Sequence, residues 1–351
     1  MSVYTDSRSR PGAKGTNDTN DRTTFLTEFG GMVLKACDEV MNYDSMRWTK
    51  QITQGKADTF PVIGRKRDGQ EHEPGELILG GKIDHDEVAI SLDKMIVDSV
   101  FIAEIDELML HYSIQEPYAN QLGQSLGSIT DKRIAIMHIL ASRGASIHQD
   151  AGNLPVPGYY WAADLKTNAA KLEEAHYAAS LYARQNDMSG EPWKSMLPHQ
   201  QVLLLARYTG IEGGPVSTGS ANRAQGTVGP LGGIQPNGTN HIPNVNITTG
   251  NTKYRGNFST TVGHISNRMA VGTLERRGLR MNMVDQKDRL GTLIIASMLN
   301  GHGTLRNECS IELRTDAISV RIPTKPAGCS DLMPAITPKR SRPPARSEGG
   351  R

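Results

Sequence analysis

A polar stretch at 64–76, with the sequence GRKRDGQEHEPGE, lies between two strand-like segments near the start of the chain. Residues 57–63 (ADTFPVI) before it, and the alternating Val88, Ile90 and Leu92 after it, have the pattern of β-strands. The connection at 64–87 is far longer than the roughly 2–5 residues of an ordinary hairpin turn. The sequence therefore predicts a long two-stranded ribbon whose polar tip cannot pack on its own core.

Such a ribbon needs a surface to lie against, because an isolated two-stranded hairpin is only marginally stable in water. Its tip has three adjacent cations, which are followed by four acidic residues, Asp68, Glu71, Glu73 and Glu76. The same order of charges on every copy favours a neighbour of complementary polarity and a defined register between copies. We therefore expect the ribbon to pack on a second copy of the chain, and its apolar surface to be buried only there.

The charge of the chain is unevenly distributed. The formal net charge of the 351 residues is only +2, which gives no overall nucleic-acid signature. Residues 321–351, however, contain seven Lys or Arg and two Asp or Glu, and no aromatic residue for base stacking. This basic tail can contact phosphates without sequence preference or can act as a solubilising tail, and both readings stay open. The cations considered for nucleic-acid contact are Lys339, Arg340, Arg342 and Arg346.

Other residue types argue against several classes of protein. The three cysteines, Cys37, Cys309 and Cys329, are far apart and form no CxxC pair, so neither a disulfide framework nor a zinc ribbon is expected. No apolar run approaches the ~18 residues of a membrane span, and the polar N-terminus lacks the apolar core of a signal peptide. Without metal-ligand spacing or a phosphate-binding loop, we expect neither a cofactor nor an enzyme.

Helical periodicity is clearest after the ribbon. A capping box at 113–116 and an apolar stripe that ends at Gly144 predict one helix of about 30 residues, roughly 45 Å long, as the spine of a flat molecule. Residues 1–24 are expected to be a disordered polar arm. Further helices are predicted at 25–43, 102–112, 162–186 and 198–208. Strands are predicted at 258–264, 268–274 and 309–313.

One motif suggests catalysis. Residues 123–127 read GQSLG and match G-x-S-x-G, the nucleophile elbow of hydrolases, with Ser125 as the nucleophile. That elbow needs a strand before the serine and a sharp turn at it, whereas Ser125 lies in the predicted spine helix. The favoured interpretation is that Gly123 and Gly127 let another element approach this helix closely. A serine hydrolase is the alternative.

Two groups of segments carry a family resemblance. In the first half they are FLTEFGGMVLKAC, QGKADTFPVIGR, EPGE and EIDELMLHYSIQEPYANQLGQSLGSITDK. In the second half they are GGIQPNGTNHIPN and MAVGTLERRGLRMNMVDQKDRLGTLIIASMLNGHGTLRNE, where Asn307 follows a Gly-His-Gly-x-Leu-Arg signature at a position that is usually proline. In this order they resemble the major capsid proteins of tailed bacteriophages with the Hong Kong 97-type fold, in particular those of short-tailed podoviruses related to coliphage T-seven. The resemblance spans 25–313 and is weakest at 145–208.

The resemblance implies an α+β Hong Kong 97-type fold. Its expected parts are an N-terminal arm and short helix at 1–55, an extended loop (E-loop) at 56–101, the spine helix of the peripheral domain at 102–150, an axial domain at 151–257, peripheral-domain strands at 258–320 and a basic tail at 321–351. It further implies a structural protein that self-assembles as hexamers and pentamers into an icosahedral virion head in the host cytoplasm. The implied partners are a scaffolding protein, a portal and packaged double-stranded DNA, while binding of a decoration protein stays open.

The resemblance also assigns the ribbon to the extended loop, which lies over the adjacent subunit. The inter-subunit contacts predicted on this basis are Phe60, Val62, Val88, Ile90 and Leu92 on the apolar face, and Arg65, Lys66, Arg67, Glu71, Glu73 and Glu76 at the tip. Some related shells form covalent crosslinks from a lysine of this loop, and Lys66 and Lys82 are available here, but neither an acceptor nor a catalytic acid is matched, so whether a crosslink forms stays open. Two further alternatives are an encapsulin-like nanocompartment shell of the same fold and a DNA-binding module that acts through the tail.

Overall fold

The computed structural model describes residues 20–64, 85–103, 115–145, 158–188, 190–208 and 228–316, together with positions 71, 72, 75, 77, 83, 105 and 226. Predictions for 1–19 and for the basic tail at 321–351 lie outside these residues. The described part combines helices and strands, as the predicted α+β class requires. None of its helices is both long and apolar enough to cross a membrane.

The helices are α1 Asn20–Val40, α2 Gln115–Arg143, α3 Ala169–Gln185 and α4 His199–Arg207. Helix α2 has 29 residues and confirms the predicted spine helix. Helix α1 begins at Asn20, so the prediction of a disordered arm is wrong for 20–24. The helix predicted at 102–112 is wrong at its start, because residues 102 and 103 belong to a strand. Helix α3 begins later than position 162, because the Asn168 side chain caps it by accepting a hydrogen bond from the Ala170 amide.

The strands, in chain order, are β1 Trp48–Gln51, β2 Ala57–Ile63, β3 His85–Ser91, β4 Ile96–Ala103, β5 Gly158–Trp161, β6 Lys194–Leu197, β7 Gln235–Gly238, β8 Asn246–Ile247, β9 Gly256–Asn257, β10 Thr261–Ser266, β11 Val271–Gln286, β12 Gly291–Thr304 and β13 Ser310–Arg314. They form a four-stranded sheet in the order β1-β11-β12-β4, a five-stranded sheet in the order β5-β13-β10-β6-β7, and the pairs β2-β3 and β8-β9.

The antiparallel hairpin of β11 and β12 is the largest feature that sequence analysis missed. Its strands have 16 and 14 residues, whereas only the part of β11 up to residue 274 had been predicted. Register shifts between Glu275 and Arg280 disrupt the regular pairing there. Irregularities of this kind, together with the arginines around them, break the period-two alternation by which a strand is recognised.

Helices cover one face of the four-stranded sheet and both faces of the five-stranded sheet, on which α2 packs through a cluster that includes Met137 and Met196. Helices α1 and α2 pack on the four-stranded sheet through two buried clusters that include Phe29, Leu122 and Ile294. Helices α3 and α4 pack on the five-stranded sheet, whose β10 and β13 strands come from the predicted peripheral segment 258–320. The boundary predicted at 257/258, between the axial and peripheral segments, therefore divides the strands of the five-stranded sheet. It does not separate that sheet from the four-stranded sheet.

Helix α1 crosses α2 at two glycines. A Cβ atom at Gly123 would lie 2.4 Å from the Val33 carbonyl oxygen, and one at Gly127 would lie 2.9 Å from the Cys37 carbonyl oxygen. The predicted close approach is confirmed, since any side chain at Gly123 would overlap the backbone of α1. Ser125 lies between these glycines inside a continuous helix, so the nucleophile-elbow reading is wrong.

The C-terminal end of α2 is joined to β13. Arg143, the last helical residue, donates two hydrogen bonds to the Glu312 carboxylate, at 2.8 and 2.6 Å. The Asn307 amide nitrogen donates to the Ala145 carbonyl at 2.5 Å, just beyond the helix. Asn307 therefore satisfies one of the carbonyl groups near a helix end, a bond that the usual proline could not donate.

A buried cluster joins α2, β10 and the segment after α1. The rings of His138 and His264 stack with their centroids 5.0 Å apart. The Tyr43 hydroxyl lies 2.9 Å from Nε2 of His264, and Nε2 of His138 lies 3.0 Å from the Met46 carbonyl oxygen. Burial lowers the pKa of His138 to about 3 and holds the pKa of His264 well below its usual value. Both rings are therefore neutral in the native protein near pH 7.

These histidines predict that the dissociated subunit loses stability in mild acid. Their folded-state pKa values lie below the unfolded value of about 6.5, so the unfolded chain takes up protons that the native state excludes. The free energy of unfolding should fall as pH decreases below about 6.5, by at most about 1.4 kcal/mol per pH unit for each histidine, until the folded pKa is reached. Urea unfolding between about pH 7.5 and 5.5 measures this slope.

A matched pair of variants isolates the contribution of the cluster. We expect His138→Gln to make the pH dependence shallower, because the glutamine does not titrate. The same substitution at His85, an exposed residue of β3, should leave the slope unchanged. Equal slopes for His138→Gln and the unmodified chain would contradict this assignment.

Candidate assembly surfaces

The base of the ribbon packs on its own subunit. Strands β2 and β3 pair from Ala57 opposite Ser91 to Ile63 opposite His85, which confirms the predicted ribbon. A buried cluster is formed by Phe60, Ile90, Leu274 and Leu305, with Ile52, Val88 and Leu92 partly buried against it. The ribbon base is therefore covered by β11 and by the segment after β12, without a second copy.

This packing corrects part of the predicted assembly contact. Phe60, Val62 and Ile90 are at most 3% exposed within a single chain, so the prediction that they contact a neighbouring subunit is wrong. The expectation that the apolar surface of the ribbon is buried only on another copy is therefore wrong for the ribbon base. Val88 and Leu92 keep some exposed surface, and contact through them stays a prediction.

The segment 301–306 (GHGTLR), here called the ribbon platform, explains the signature found in the sequence. A Cβ atom at Gly301 would lie 2.3 Å from the Ser91 carbonyl oxygen, and one at Gly303 would lie 2.9 Å from Cγ1 of Ile90. Glycine at these positions lets the ribbon approach β12 closely. Leu305 belongs to the buried cluster, and the Arg306 guanidinium donates to the Ile63 carbonyl. The signature was recognised from the sequence, but its contact with the ribbon was not.

Beyond its base, the ribbon presents exposed side chains. Leu77 is 83% exposed, and Ile63 and Ile83 are also exposed; none of the three was among the predicted contacts. Glu71 is exposed as well. The other predicted tip contacts, Arg65, Lys66, Arg67, Glu73 and Glu76, lie outside the described residues. The tip therefore combines apolar and charged groups, a composition suited to a protein surface.

The four-stranded sheet has a second face, here called the outer sheet face, which points away from α1 and α2. Directly opposed residues on β4, β12 and β11 form its rows: Phe101, Leu293 and Val284; Ser99, Ile295 and Asn282; Val97, Ser297 and Arg280. Phe101 is 38% exposed and Val97 is 54% exposed. A face that mixes partly exposed apolar side chains with polar ones has the composition of a protein interaction surface. The alternation of Val97, Ser99 and Phe101 is the sequence signal that could have revealed it.

The described residues contain no group of three or more His, Cys, Asp or Glu side chains that could hold a metal ion. Two serine–histidine pairs occur among the described residues. Nε2 of His176 lies 2.9 Å from the Ser195 hydroxyl, and Nδ1 of His264 lies 3.1 Å from the Ser266 hydroxyl. All four side chains are fully buried in the core. The pairs satisfy buried polar side chains and are closed to a substrate.

Comparison with solved structures defines the class of protein. The chain is similar to the capsid structure of the cyanophage P-SCSP1u, with a TM-score of 0.69 and 26% identity over 78% of this chain and 88% of that chain. It has the same fold as the mature capsid of bacteriophage PhiM1, with a TM-score of 0.66 and 16% identity over 78% of this chain and 86% of that chain. The Hong Kong 97-type phage capsid fold expected from the sequence is confirmed.

Sequence comparison defines the family. The Gp10A-like major capsid protein model matches residues 59–314. The major capsid protein of Escherichia phage T7 is 26% identical over 317 residues, which cover 82% of this chain and 90% of that protein. The chain therefore belongs to the Gp10A-like major capsid protein family of tailed phages, whose members form the virion capsid. The predicted function and location are confirmed, and the nanocompartment and hydrolase alternatives are not favoured.

Proposed function

We propose that this chain assembles as hexamers and pentamers into the icosahedral head of a tailed phage and encloses its double-stranded DNA. The observation that carries the proposal is that one subunit presents both an exposed ribbon tip and an exposed apolar sheet face. Two different surfaces that complement each other make a heterologous contact, and such contacts generate closed rings when the rotation closes. Self-association of this kind agrees with the shells that homologous capsid proteins form.

The proposed contact places the ribbon tip of one subunit on the outer sheet face of the next. The apolar residues Leu77 and Ile83 of the tip would pack against the row that contains Phe101 and Leu293. The acidic residues of the tip, Glu71, Glu73 and Glu76, would lie near the arginines of β11, and Arg65, Lys66 and Arg67 would lie near acidic groups of the neighbour. Exposed ion pairs contribute at most about 1 kcal/mol each, so strength comes from the apolar contact and from repetition over many copies.

The remaining parts of the proposal concern partners and chemistry. A scaffolding protein guides assembly in the host cytoplasm, a portal occupies one vertex, and the tail cations Lys339, Arg340, Arg342 and Arg346 contact packaged DNA through its phosphates. The chain acts structurally and catalyses no reaction. Support for this role comes from the helical setting of Ser125 and from the complete burial of the Ser195–His176 pair.

The test is electron microscopy of purified protein, produced alone and with its scaffolding partner. We expect closed particles from the unmodified chain. Val97→Asp should abolish them while the unfolding midpoint of the subunit stays close to that of the unmodified chain, because a side chain that is 54% exposed contributes little to folding. Val245→Asp changes a valine of similar exposure, 59%, away from the outer sheet face and should permit assembly. Normal particles from Val97→Asp would exclude this face as the acceptor of the ribbon.

A further inference from the structure

We propose that Asp93 is a positioning residue, which sets the angle at which the ribbon leaves the subunit and thereby the curvature of the shell. This inference rests on the proposed function, in which the ribbon of one subunit lies on its neighbour. Asp93 follows strand β3 by two residues and precedes β4, so it lies at the corner where the ribbon joins the four-stranded sheet.

The Asp93 carboxylate interacts with hydrogen-bond donors and cations of the turn at 251–254 and of helix α2. The Tyr254 hydroxyl donates to Oδ2, and the Asn251 amide donates to Oδ1 at 3.4 Å. The Lys253 ammonium lies 3.5 Å from Oδ1, and the Arg133 guanidinium of helix α2 lies 3.9 Å from Oδ2. One side chain at the ribbon root is thus bound both to the spine helix and to the turn at 251–254.

The backbone around Asp93 ties the same corner to the rest of the ribbon root. The Asp93 amide donates to the Asn300 carbonyl of β12 at 3.1 Å, and the Leu92 amide donates to the Lys56 carbonyl at 2.8 Å. The Lys253 ammonium also donates to the Ser91 carbonyl at 3.3 Å. Strand β12, the residue before β2 and the turn at 251–254 therefore all contact the corner, and the carboxylate supplies the side-chain part of that connection.

Burial makes this arrangement sensitive to the charge of Asp93. Its side chain is only 3% exposed, while Lys253 and Arg133 are about a quarter exposed. An asparagine has nearly the same shape but no charge, so both cations would lose their counter-charge at the corner. The buried cluster of Phe60 and Ile90 is separate from this site and would keep the ribbon base folded.

Because the ribbon is long, a small rotation at its root produces a large displacement of its far end. Strand β3 has seven residues, which at about 3.3 Å each extend about 23 Å, so a rotation of about 10° at the root moves the far end by about 4 Å. That displacement exceeds the spacing of one strand residue and would change which residues meet on the neighbouring subunit. A residue that merely stabilised the fold would not have this effect on contact geometry.

The test compares particle diameters by cryo-electron microscopy for the unmodified chain and for Asp93→Asn. We expect a single diameter from the unmodified chain and its loss in the variant, which should give a broad distribution or open and tubular forms. Asp164→Asn, the same substitution in an exposed turn before α3, should keep the single diameter. Particles of unchanged diameter from Asp93→Asn, even at a lower yield, would overturn the proposal, because they would show a merely structural role.

A second variant decides the matter if Asp93→Asn yields no folded subunit. Tyr254→Phe removes one hydrogen bond to Asp93 and leaves its charge and both cations in place. A broadened diameter distribution from Tyr254→Phe would support the proposal, and the diameter of the unmodified particles would overturn it. Failure of the unmodified chain to form closed particles would instead contradict the proposed function, and this inference would fall with it.

Discussion

Replacing Glu312 by glutamine is expected to lower the free energy of unfolding of the subunit by about 3–5 kcal/mol, the usual consequence of removing one partner from a buried ion pair. The Glu312 carboxylate is fully buried and receives two hydrogen bonds from Arg143 and one from the Thr261 hydroxyl at 2.5 Å. Arg314 lies 3.6 Å from the same group and is itself almost fully buried. Without the carboxylate, Arg314 would keep its charge in the core with no counter-charge, and the partly exposed Arg143 would lose its ion pair.

Urea unfolding of the dissociated subunit at neutral pH measures this effect. Glu39→Gln is the matched control, because Glu39 also pairs with a cation, Lys35, but both side chains are mostly exposed. Surface pairs of this kind contribute at most about 1 kcal/mol, so the control should unfold close to the unmodified chain. Similar urea midpoints for the two variants would show that the charge of Glu312 is not needed to join α2 to the five-stranded sheet.

Gly123→Ala is expected to destabilise the subunit by about 1–3 kcal/mol, the range measured when a well-packed core is overfilled. The new Cβ atom would lie 2.4 Å from the Val33 carbonyl oxygen and 2.7 Å from the Ala36 Cβ atom, so helix α1 would have to move away from α2. The intrinsic preference of alanine for helices, about 1 kcal/mol over glycine, opposes this loss without cancelling it. The unfolding midpoint and the loss of α1 protection in hydrogen exchange report the change.

Gly31→Ala separates the packing effect from helix propensity. Gly31 lies in α1 with no atom within 4 Å of its Cβ position, so alanine there should be neutral or stabilising by up to about 1 kcal/mol. Opposite signs for the two substitutions would establish that the close approach of α1 at Gly123 is what requires glycine. A Gly123→Ala subunit that unfolds like the Gly31→Ala subunit would contradict it.

The parts of the fold that follow from local patterns were predictable. The spine helix has a continuous apolar stripe, and the ribbon has alternating residues on both sides of a long polar connection. The helix-packing interpretation of Gly123 and Gly127 was also available, because small residues four apart lie on one face of a helix. The long hairpin of β11 and β12 was not predictable in full, because register shifts and charged residues interrupt its alternation.

The assembly surfaces were predictable only in part, since their residues are distributed over distant segments. Exposed apolar residues on β4 become one face only when β12 and β11 lie beside them. Ile63, Leu77 and Ile83 were not predicted as contacts, because the charged residues between them are the more conspicuous feature of the sequence there. Asp93 carries no sequence signal, and its role emerges only from the donors that the fold brings to it.

The sequence alone determined that β2 and β3 form a ribbon with one apolar face, because alternation is a property of neighbouring residues. Only the tertiary structure decided which molecule covers that face. The ribbon and its platform are 243 positions apart where Arg306 donates to the Ile63 carbonyl, and the side chains of Phe60 and Ile90 meet Leu274 and Leu305 within the same chain. Burial of an apolar face stabilises the fold to the same extent whichever surface supplies it, so a local pattern cannot distinguish a neighbouring subunit from a distant part of the same subunit.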